Sequence, residues 1–354
     1  SPSYYDGHGT SAAGVAAAAG NNTIGVSGAA PKASLAGLLL IACSTTDVRE
    51  SNALSHNRQD IDIYSNSWGP SDNGRTVEAP GPLMLAAFEN DVSQGRGNLG
   101  NIITWAAGNG LDDDDNSNFD GYANSRHTIA VTAVTHYGEQ SWYAEPGANI
   151  LVAAPSDGDG EGITTTDNEG GGGYNNGDYN DDFGGTSSAT PLVSGVIALI
   201  LEANPNLTYR DIEHIIAHSS RQNDANDNSW GTNGAGHDVS HKYGFGVIDA
   251  NAAVALAENW NNVDEEINFQ SGLIDIQDRS IPDNSAPGII ETTQVSDSIK
   301  VEHVEVIVDI DHSYRGDLAI TLTSPMGTQS ISVSYTHLRA HETVLDLVCR
   351  LLLE

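Results

Sequence analysis

The sequence has almost no cysteine. Its 354 residues include only Cys43 and Cys349, so it offers no disulfide framework, and cysteine usage does not identify the compartment. No apolar run reaches the roughly 20 residues that a spanning helix needs, so we expect no membrane span. The sequence opens at Ser1 without a methionine, and we interpret it as a fragment whose targeting segment lies outside it.

Positive charge is equally scarce, with 14 Lys and Arg against 48 Asp and Glu and a formal net charge of −34. Such a surface repels phosphate backbones, so we expect no nucleic-acid partner. It favours cationic substrates and divalent cations instead, although for most of the carboxylates a role in solubility, typical of salty habitats, remains open. Few aromatics (6%) and 38 glycines are typical of a loop-rich α/β fold rather than a helical bundle.

Residues 1–260 alternate between strand and helix patterns, which predicts a parallel sheet covered by helices on both faces. The predicted strands are Leu35–Ile41, Ile61–Ser65, Asn101–Ala106, Thr128–Val134 and Asn149–Ala153. The predicted helices are His8–Ala19, Leu83–Ser93, Ser188–Glu202, Thr208–His218 and Asp249–Asn259. These elements indicate a first domain at 1–260.

A second, all-β domain is predicted for residues 261–333. Val301–Ile310 reads as one strand, and Leu318–Leu322 alternates as a second, with turn signals between and after them. Residues 334–354 abandon this alternation and are rich in His, Arg and Leu. We interpret them as a tail that is not native to the protein; a genuine amphipathic helix is the alternative.

Three motifs carry the chemistry of acyl transfer. Ser187 follows Gly184-Gly185-Thr186 and opens a long apolar helix, whose N-terminus favours a developing negative charge. His8 opens an Ala-rich helix and is an imidazole suited to act as a general base for the serine. Asn109 ends a strand between two glycines, where its amide can donate to an oxyanion.

These residues carry a family resemblance. His8-Gly9-Thr10, Ser67-Trp68-Gly69, Ala107-Gly108-Asn109 and Gly185-Thr186-Ser187, in this order, resemble the signature of subtilisin-like serine proteases. Longer matches, such as the stretches 64–70, 93–97 and 240–246, point to the kexin and furin branch. The strands after residue 261 resemble the jelly-roll P domain of that branch, marked by Arg315-Gly316-Asp317 and broken off near residue 333. The resemblance implies a subtilisin-like three-layer α/β sandwich followed by a truncated P domain.

The resemblance also implies catalytic roles. Ser187 is the expected nucleophile, His8 the general base and Asn109 the oxyanion donor, while Ser67, Trp68 and Gly69 pair with an extended substrate. The third member of the triad, an Asp, is expected upstream of the sequence, because Asp6 is too close to His8 to orient its ring. Without that Asp, the rate is expected to fall by about 10⁴.

Acidic subsites and calcium follow from the same resemblance. Asp72 and Asp120 are expected to line a P1 pocket for arginine, Glu78 to meet a basic P2 residue and Glu50 a P4 residue; for Glu50 a plain surface charge is as good an interpretation. Tyr5 stands where furin-like proteases have an acidic residue. One calcium site is expected from the Asn22 side chain and the carbonyls of Gly20, Ile24 and Val26, and another from the acids Asp72, Asp115 and Glu145.

The sequence therefore predicts a secreted or extracytoplasmic, calcium-dependent serine endopeptidase that cuts polypeptides after basic, often paired, residues. We expect it to act as a monomer. Two alternatives remain open at this point: a broad-specificity degradative protease of the same family, and a catalytically inactive, protease-like binding module.

Overall fold

A parallel sheet lies at the centre of the protein. The computed structural model describes residues 6–42, 44–274, 279–282, 288–295, 299–308, 310, 318–333 and 345–347. The sheet contains β1 (Ile63–Asn66), β2 (Ile102–Ala106), β3 (Ile129–Val134) and β4 (Ile150–Pro155), adjacent in that order. Every residue of β2 and β3 is buried, which is why these strands read as continuous apolar runs rather than as alternating ones.

Helices cover both faces of this sheet. In the described part of the chain they are α1 (His8–Ala17), α2 (Asp47–Leu54), α3 (Pro82–Asn98), α4 (Thr186–Ala203), α5 (Tyr209–Ser219) and α6 (Ala250–Ala257). Side chains alternate along β2: Ile102 packs in a cluster with α4, α5 and α6, whereas Ile103 and Trp105 pack with α2 and α3. The predicted three-layer sandwich is confirmed.

The helix ends follow local chemistry. Thr208 and Asp211 form a reciprocal capping box at the start of α5, and Asp249 caps α6 through the Ala252 amide. Asp47 accepts hydrogen bonds from the first free amides of α3, those of Leu83 and Met84. The sequence reading missed α2, the helix that carries Asp47.

Antiparallel pairs complete the described structure. The hairpin of β5 (Ile163–Thr166) and β6 (Tyr179–Phe183) precedes α4, and the short β7 (Gly231–Thr232) pairs with β8 (Asp238–Val239). Towards the C-terminus, β9 (Val306–Val308) pairs with β12 (Leu345–Leu347), and β10 (Ile320–Thr323) with β11 (Gln329–Val333). The all-β character of this second part is as predicted, while Tyr5, Arg315–Asp317 and most of 334–354 lie outside the described residues.

One strand prediction was wrong, and another was right only in part. Leu35–Ile41 forms no strand, and Leu35, Leu39 and Ile41 are 59%, 60% and 47% exposed. The apolar pattern is present, but no described strand lies beside it to complete a hydrogen-bonded ladder, which a strand requires. Among the described residues of the predicted strand Val301–Ile310, only Val306–Val308 form a strand, β9. Glu302 and His303, in its first half, bind residues of α5 instead.

The length and composition of α4 would also allow it to cross a membrane. However, 67% of it is buried inside the fold, where it packs against all four strands of the central sheet. The helix therefore serves as the central core helix of this domain.

Candidate active site

Ser187 occupies the second position of α4, immediately after a glycine turn. Gly185 caps the helix with φ 74° and ψ 173°, a left-handed backbone that favours glycine. The hydroxyl of Ser67, in the loop that follows β1, donates to the carbonyl of Ser187 at 3.0 Å. The structure thus brings together the start of α4 and the predicted substrate-pairing segment Ser67–Gly69.

Asn109 lies against the same helix start. Its Oδ1 accepts hydrogen bonds from the backbone amide of Thr186 at 2.7 Å and from the Thr186 hydroxyl at 3.0 Å. Two donors therefore hold the amide oxygen. Among the described residues, the NH₂ group makes one long contact, 3.4 Å, to Asp72. This orientation leaves a hydrogen-bond donor beside the residue that precedes Ser187.

His8 is the first residue of α1, which packs against α4. Its ring meets Phe183 edge-on with 5.6 Å between ring centroids, and Phe183 is four residues before Ser187, so the imidazole lies at the same end of α4. Burial lowers the pKa of His8, and the charge of Asp6 opposes this. Between described residues, no hydrogen bond joins the His8 ring to Ser187 or to a carboxylate.

Asp120 lies beneath the predicted substrate-pairing segment. Its Oδ2 is 2.9 Å from the position that a Cβ on Gly69 would take, so a larger residue at 69 would press on the carboxylate. Burial raises the pKa of Asp120 to about 8. Backbone amides of Tyr122 and Ala123 oppose this rise, while the charges of Asp72 and Glu78 add to it.

Glu78 and Asp120 belong to one small patch of paired backbone. The amide of Glu78 donates to Phe119 at 3.2 Å, and Gly121 donates to the carbonyl of Glu78 at 2.8 Å. Glu78 itself is exposed. These contacts hold exposed Glu78 next to Asp120, whose carboxylate lies at Gly69, the last residue of the substrate-pairing segment.

Glu50 lies deeper than the sequence suggested. It is only 6% exposed, and its carboxylate accepts a hydrogen bond from the Tyr122 hydroxyl at 2.9 Å. Tyr122 in turn packs against Trp68 and Trp105, with 5.2 Å between ring centroids in both cases. Tyr122, for which the sequence suggested no role, thus links Glu50 to Trp68 in the substrate-pairing segment.

Three acids predicted to bind calcium surround the turn at Asn109-Gly110. Asp72 accepts from the Asn109 amide at 2.9 Å and Glu145 from the Gly110 amide at 2.8 Å, and a Cβ on Gly110 would stand 2.7 Å from that of Asp115. Burial raises the pKa of Glu145 well above its ordinary value, and the charges of Asp115 and Asp72 raise it further. Burial likewise raises the pKa of Asp72.

These three carboxylates fit a hard divalent cation, because they offer oxygen ligands and because a bound cation would offset the repulsion between their negative charges. In the described part of the chain, however, no three such side chains already stand in ligating positions around one point.

The other predicted calcium loop is exposed and tightly curled. Asn21, Thr23 and Gly25 have φ values of 58°, 64° and 55°. The Asn22 side-chain oxygen accepts a hydrogen bond from the Ile24 amide at 3.0 Å. The loop that carries Gly20, Asn22, Ile24 and Val26 is thus folded back on itself, and its ligand role stays a prediction.

Sequence reasoning overlooked Asp157, which contacts the turn before Ser187. Its Oδ1 accepts from the Gly185 amide at 2.8 Å. No motif marks this residue, because it follows β4 in an ordinary Ser-Asp-Gly turn and reaches the site only through the fold.

Comparison with known protein families identifies the family of this chain. A family description named "Subtilase family" matches residues 1–246. The chain belongs to the subtilase family. A second description, "Proprotein convertase P-domain", matches residues 301–343. Both matches confirm the resemblance and fold class that the sequence motifs indicated.

Individual relatives agree with this assignment. Human proprotein convertase subtilisin/kexin type 5 is 41% identical over 334 residues, covering 91% of this chain and 17% of that protein. Human furin is 39% identical over 330 residues, covering 91% of this chain and 40% of that protein. The chain therefore spans less than half the length of these curated relatives. A solved structure, the serine protease of Aeromonas sobria, matches with a TM-score of 0.83 and 27% identity, over 98% of this chain and 72% of that one.

Proposed function

We propose that this chain is the catalytic part of a serine endopeptidase that cleaves polypeptides after basic residues. One observation carries the proposal. Thr186 binds the oxygen of the Asn109 side-chain amide. The NH₂ group of Asn109 is therefore left as a donor beside Ser187, at the N-terminus of α4. An arrangement of this kind stabilises the oxyanion that forms when a hydroxyl attacks a peptide carbonyl.

The residues then divide the reaction between them. The Ser187 hydroxyl attacks the carbonyl carbon, and its proton passes to the neutral imidazole of His8, which later gives it to the departing amine. Asn109 donates to the oxygen that becomes negative. Because burial lowers the pKa of His8, the ring is in its neutral, proton-accepting form at neutral pH.

Acidic residues support the choice of basic substrates. Three acids support this choice: Asp120 lies under Gly69, Asp72 accepts from the Asn109 amide, and exposed Glu78 pairs with Asp120 through its backbone. Carboxylates bind guanidinium groups through directional, charge-assisted hydrogen bonds.

Fluorogenic peptides test this specificity. The full product of the natural gene is expressed, and kcat/KM is compared for peptides ending in Arg-Arg, Lys-Arg, Ala-Leu and Ala-Phe before the scissile bond. We expect the basic peptides to be preferred by at least 100-fold, since a lost buried charge pair costs about 3 kcal/mol or more. Ser187→Ala is expected to abolish cleavage, whereas the exposed-loop variant Ser271→Ala keeps it.

Two results would redirect the proposal. Equal cleavage after leucine, phenylalanine and arginine would identify a broad-specificity degradative enzyme. Tight binding of the basic peptides without turnover would identify an inactive binding module.

We further propose that Asp72, Asp115 and Glu145 hold a calcium ion, and that the loop from Gly20 to Val26 holds another. When bound, calcium supplies the positive charge that three clustered carboxylates lack. The test measures melting temperature in calcium and in EGTA. We expect chelation to lower it, and Glu145→Gln to remove part of that response, whereas Glu161→Gln, in an exposed loop, leaves it intact. A melting temperature independent of calcium in the unaltered protein would refute both sites.

An extracytoplasmic location accompanies the calcium proposal. Weak oxygen sites of 10⁻⁴–10⁻³ M affinity are typical of extracellular modules. Fractionation of cells that express the natural gene checks this: we expect the protein in the medium or in a secretory or periplasmic fraction, and recovery only from the cytosol would contradict it.

A further inference from the structure

The turn that presents Ser187 is held from behind by a side chain without an assigned role. Gly184 and Gly185 lie between β6 and α4, and a Cβ on Gly184 would stand 2.1 Å from Cγ of Asp157. The backbone thus lies directly on this carboxylate. Only glycine permits the approach, because any side chain at 184 would overlap the acid.

Asp157 binds the turn as well as touching it. Its Oδ1 accepts a hydrogen bond from the Gly185 amide at 2.8 Å. The same oxygen accepts a short hydrogen bond from the hydroxyl of Tyr143, a residue that is only 4% exposed. Ser141 donates to the Asp157 carbonyl at 2.8 Å, so the backbone of Asp157 is held too.

The other side of Gly185 is held by the residue before Asp157. The hydroxyl of Ser156 donates to the Gly185 carbonyl at 2.7 Å and lies 2.6 Å from the hydroxyl of Ser188. Both serines are buried. Gly185 is therefore fixed at its amide by Asp157 and at its carbonyl by Ser156, two neighbours that follow one strand of the central sheet.

We propose that Asp157 is a positioning residue for the nucleophile, anchored by Tyr143. It fixes the amide of Gly185, as Asn109 fixes that of Thr186, so that the next residue, Ser187, has one position relative to the oxyanion donor. Displacing reacting groups by about 1 Å costs up to 10²-fold in rate. The acid acts through the turn and does not touch the substrate, and its effect falls on kcat rather than on KM.

The kinetic test rests on the proposed function and uses the same protein and Arg-Arg peptide. We expect Asp157→Ala to lower kcat about 10- to 100-fold with KM changed less than about twofold. Asp157→Asn keeps an acceptor of the same shape for the Gly185 amide, so it is expected to recover most of this loss. Tyr143→Phe is expected to give an intermediate loss. Glu161→Gln removes one negative charge from the same loop without touching Gly185 and serves as the matched control.

Hydrogen exchange separates this inference from the proposed function. Peptides covering residues 184–190 are followed by mass spectrometry, a measurement that needs no activity. We expect faster exchange there in Asp157→Ala, unchanged exchange in Glu161→Gln, and unchanged exchange in peptides from β2 and β3 in both. If the unaltered protein were inactive, the proposed function would be refuted, but the hydrogen-exchange measurement would still test the role of Asp157.

Three results would overturn the role of Asp157. The first is an unchanged kcat in Asp157→Ala. The second is a loss in Asp157→Asn as large as that in Asp157→Ala, and the third is exchange that rises throughout the domain rather than in the turn.

Discussion

At the scale of single residues, the candidate site depends on which way one amide points. Asn109 follows a buried strand, and both donors of Thr186 bind its oxygen. A glycine-flanked Asn is common in turns, so the motif alone does not determine this orientation. The tertiary contact with the start of α4 does, and it leaves the amide NH₂ as the donor.

Replacing that donor tests its role. We expect Asn109→Ala to lower kcat by about 10²–10³ with KM little changed, because the NH₂ group acts on charge that exists only in the transition state. The measurement is steady-state cleavage of the Arg-Arg peptide, with Asn226→Ala, an exposed asparagine, as the control. A tenfold rise in KM at constant kcat would show that Asn109 binds substrate instead.

Asp120 gives the site a pH dependence that His8 cannot give. The pKa of Asp120 is raised to about 8 by burial, so below that pH the carboxyl is uncharged in the free protein. A bound guanidinium favours the ionised form. Binding of arginine at P1 should therefore strengthen as pH rises towards 8. The rise in activity caused by deprotonation of His8 lies below pH 6.5, because burial lowers the pKa of its ring.

Kinetics between pH 5 and 9 separate the two groups. We expect kcat/KM for the Arg-Arg peptide to rise towards pH 8 in the unaltered protein, and this rise to be absent in Asp120→Asn. With an Ala-Leu peptide, kcat/KM should rise only below pH 6.5, where His8 loses its proton. Persistence of the rise towards pH 8 in Asp120→Asn would assign it to another residue.

At the scale of helices and strands, Asp211 joins α5 to the segment after α6. This residue is fully buried. One oxygen accepts from the amide and hydroxyl of Thr208, at 2.7 and 2.6 Å, and the other from Trp260 Nε1 and the Val263 amide, at 2.9 and 2.8 Å. All four bonds depend on one carboxylate.

We expect Asp211→Ala to destabilise the fold by about 3 kcal/mol or more, because it removes a buried carboxylate that four half-buried donors share. Urea unfolding measures this change. Glu202→Ala, at an exposed position near the end of α4, should change stability by less than about 0.5 kcal/mol. Equal effects of the two substitutions would contradict the joining role.

The sequence predicted elements better than it predicted contacts. In residues 1–260, four of the five predicted strands and all five predicted helices are present, because buried runs and cap residues are local signals. Leu35–Ile41 has the right pattern but no described neighbour to pair with. Glu50, expected at a subsite, is buried against Tyr122, and Asp157 had no signal, since in both cases the decisive contact is more than twenty residues away along the chain.

At the scale of the whole molecule, charge pairs join the second part of the chain to the first. Glu302 accepts hydrogen bonds from Arg210 at 2.6 and 2.7 Å and from His214 at 2.9 Å. Next to it, His303 lies 2.9 Å from Glu213. Three residues of α5, namely Arg210, Glu213 and His214, thus bind Glu302 and His303 at the start of the P-domain segment. These contacts join that segment to the subtilase domain.

This junction is expected to lose strength in acid. Burial alone would raise the pKa of Glu302, but hydrogen bonds from His214 and Arg210 lower it to about 2. A carboxylate with a lowered pKa stabilises the fold above its unfolded value of about 4.3 and loses that contribution as pH falls towards 2.

Glu302→Gln should therefore destabilise the protein at pH 7 by roughly 1–2 kcal/mol, allowing for partial exposure, and by progressively less between pH 4.5 and 2. Unfolding by urea at several pH values checks this. Glu265→Gln, an exposed acid in the preceding linker, is the control. A pH-independent difference would show that the charge of Glu302 is not the cause.

The ion pairs of the protein also affect how readily it is cleaved by other copies of itself. Arg58, Arg96, Arg126 and Arg210 each pair with a carboxylate within the fold. Under the proposed specificity, the acidic subsites of a second molecule must compete with these existing partners for each arginine. Self-digestion at these four positions should then wait for unfolding, so the lifetime of a concentrated preparation is set by how often the molecule opens.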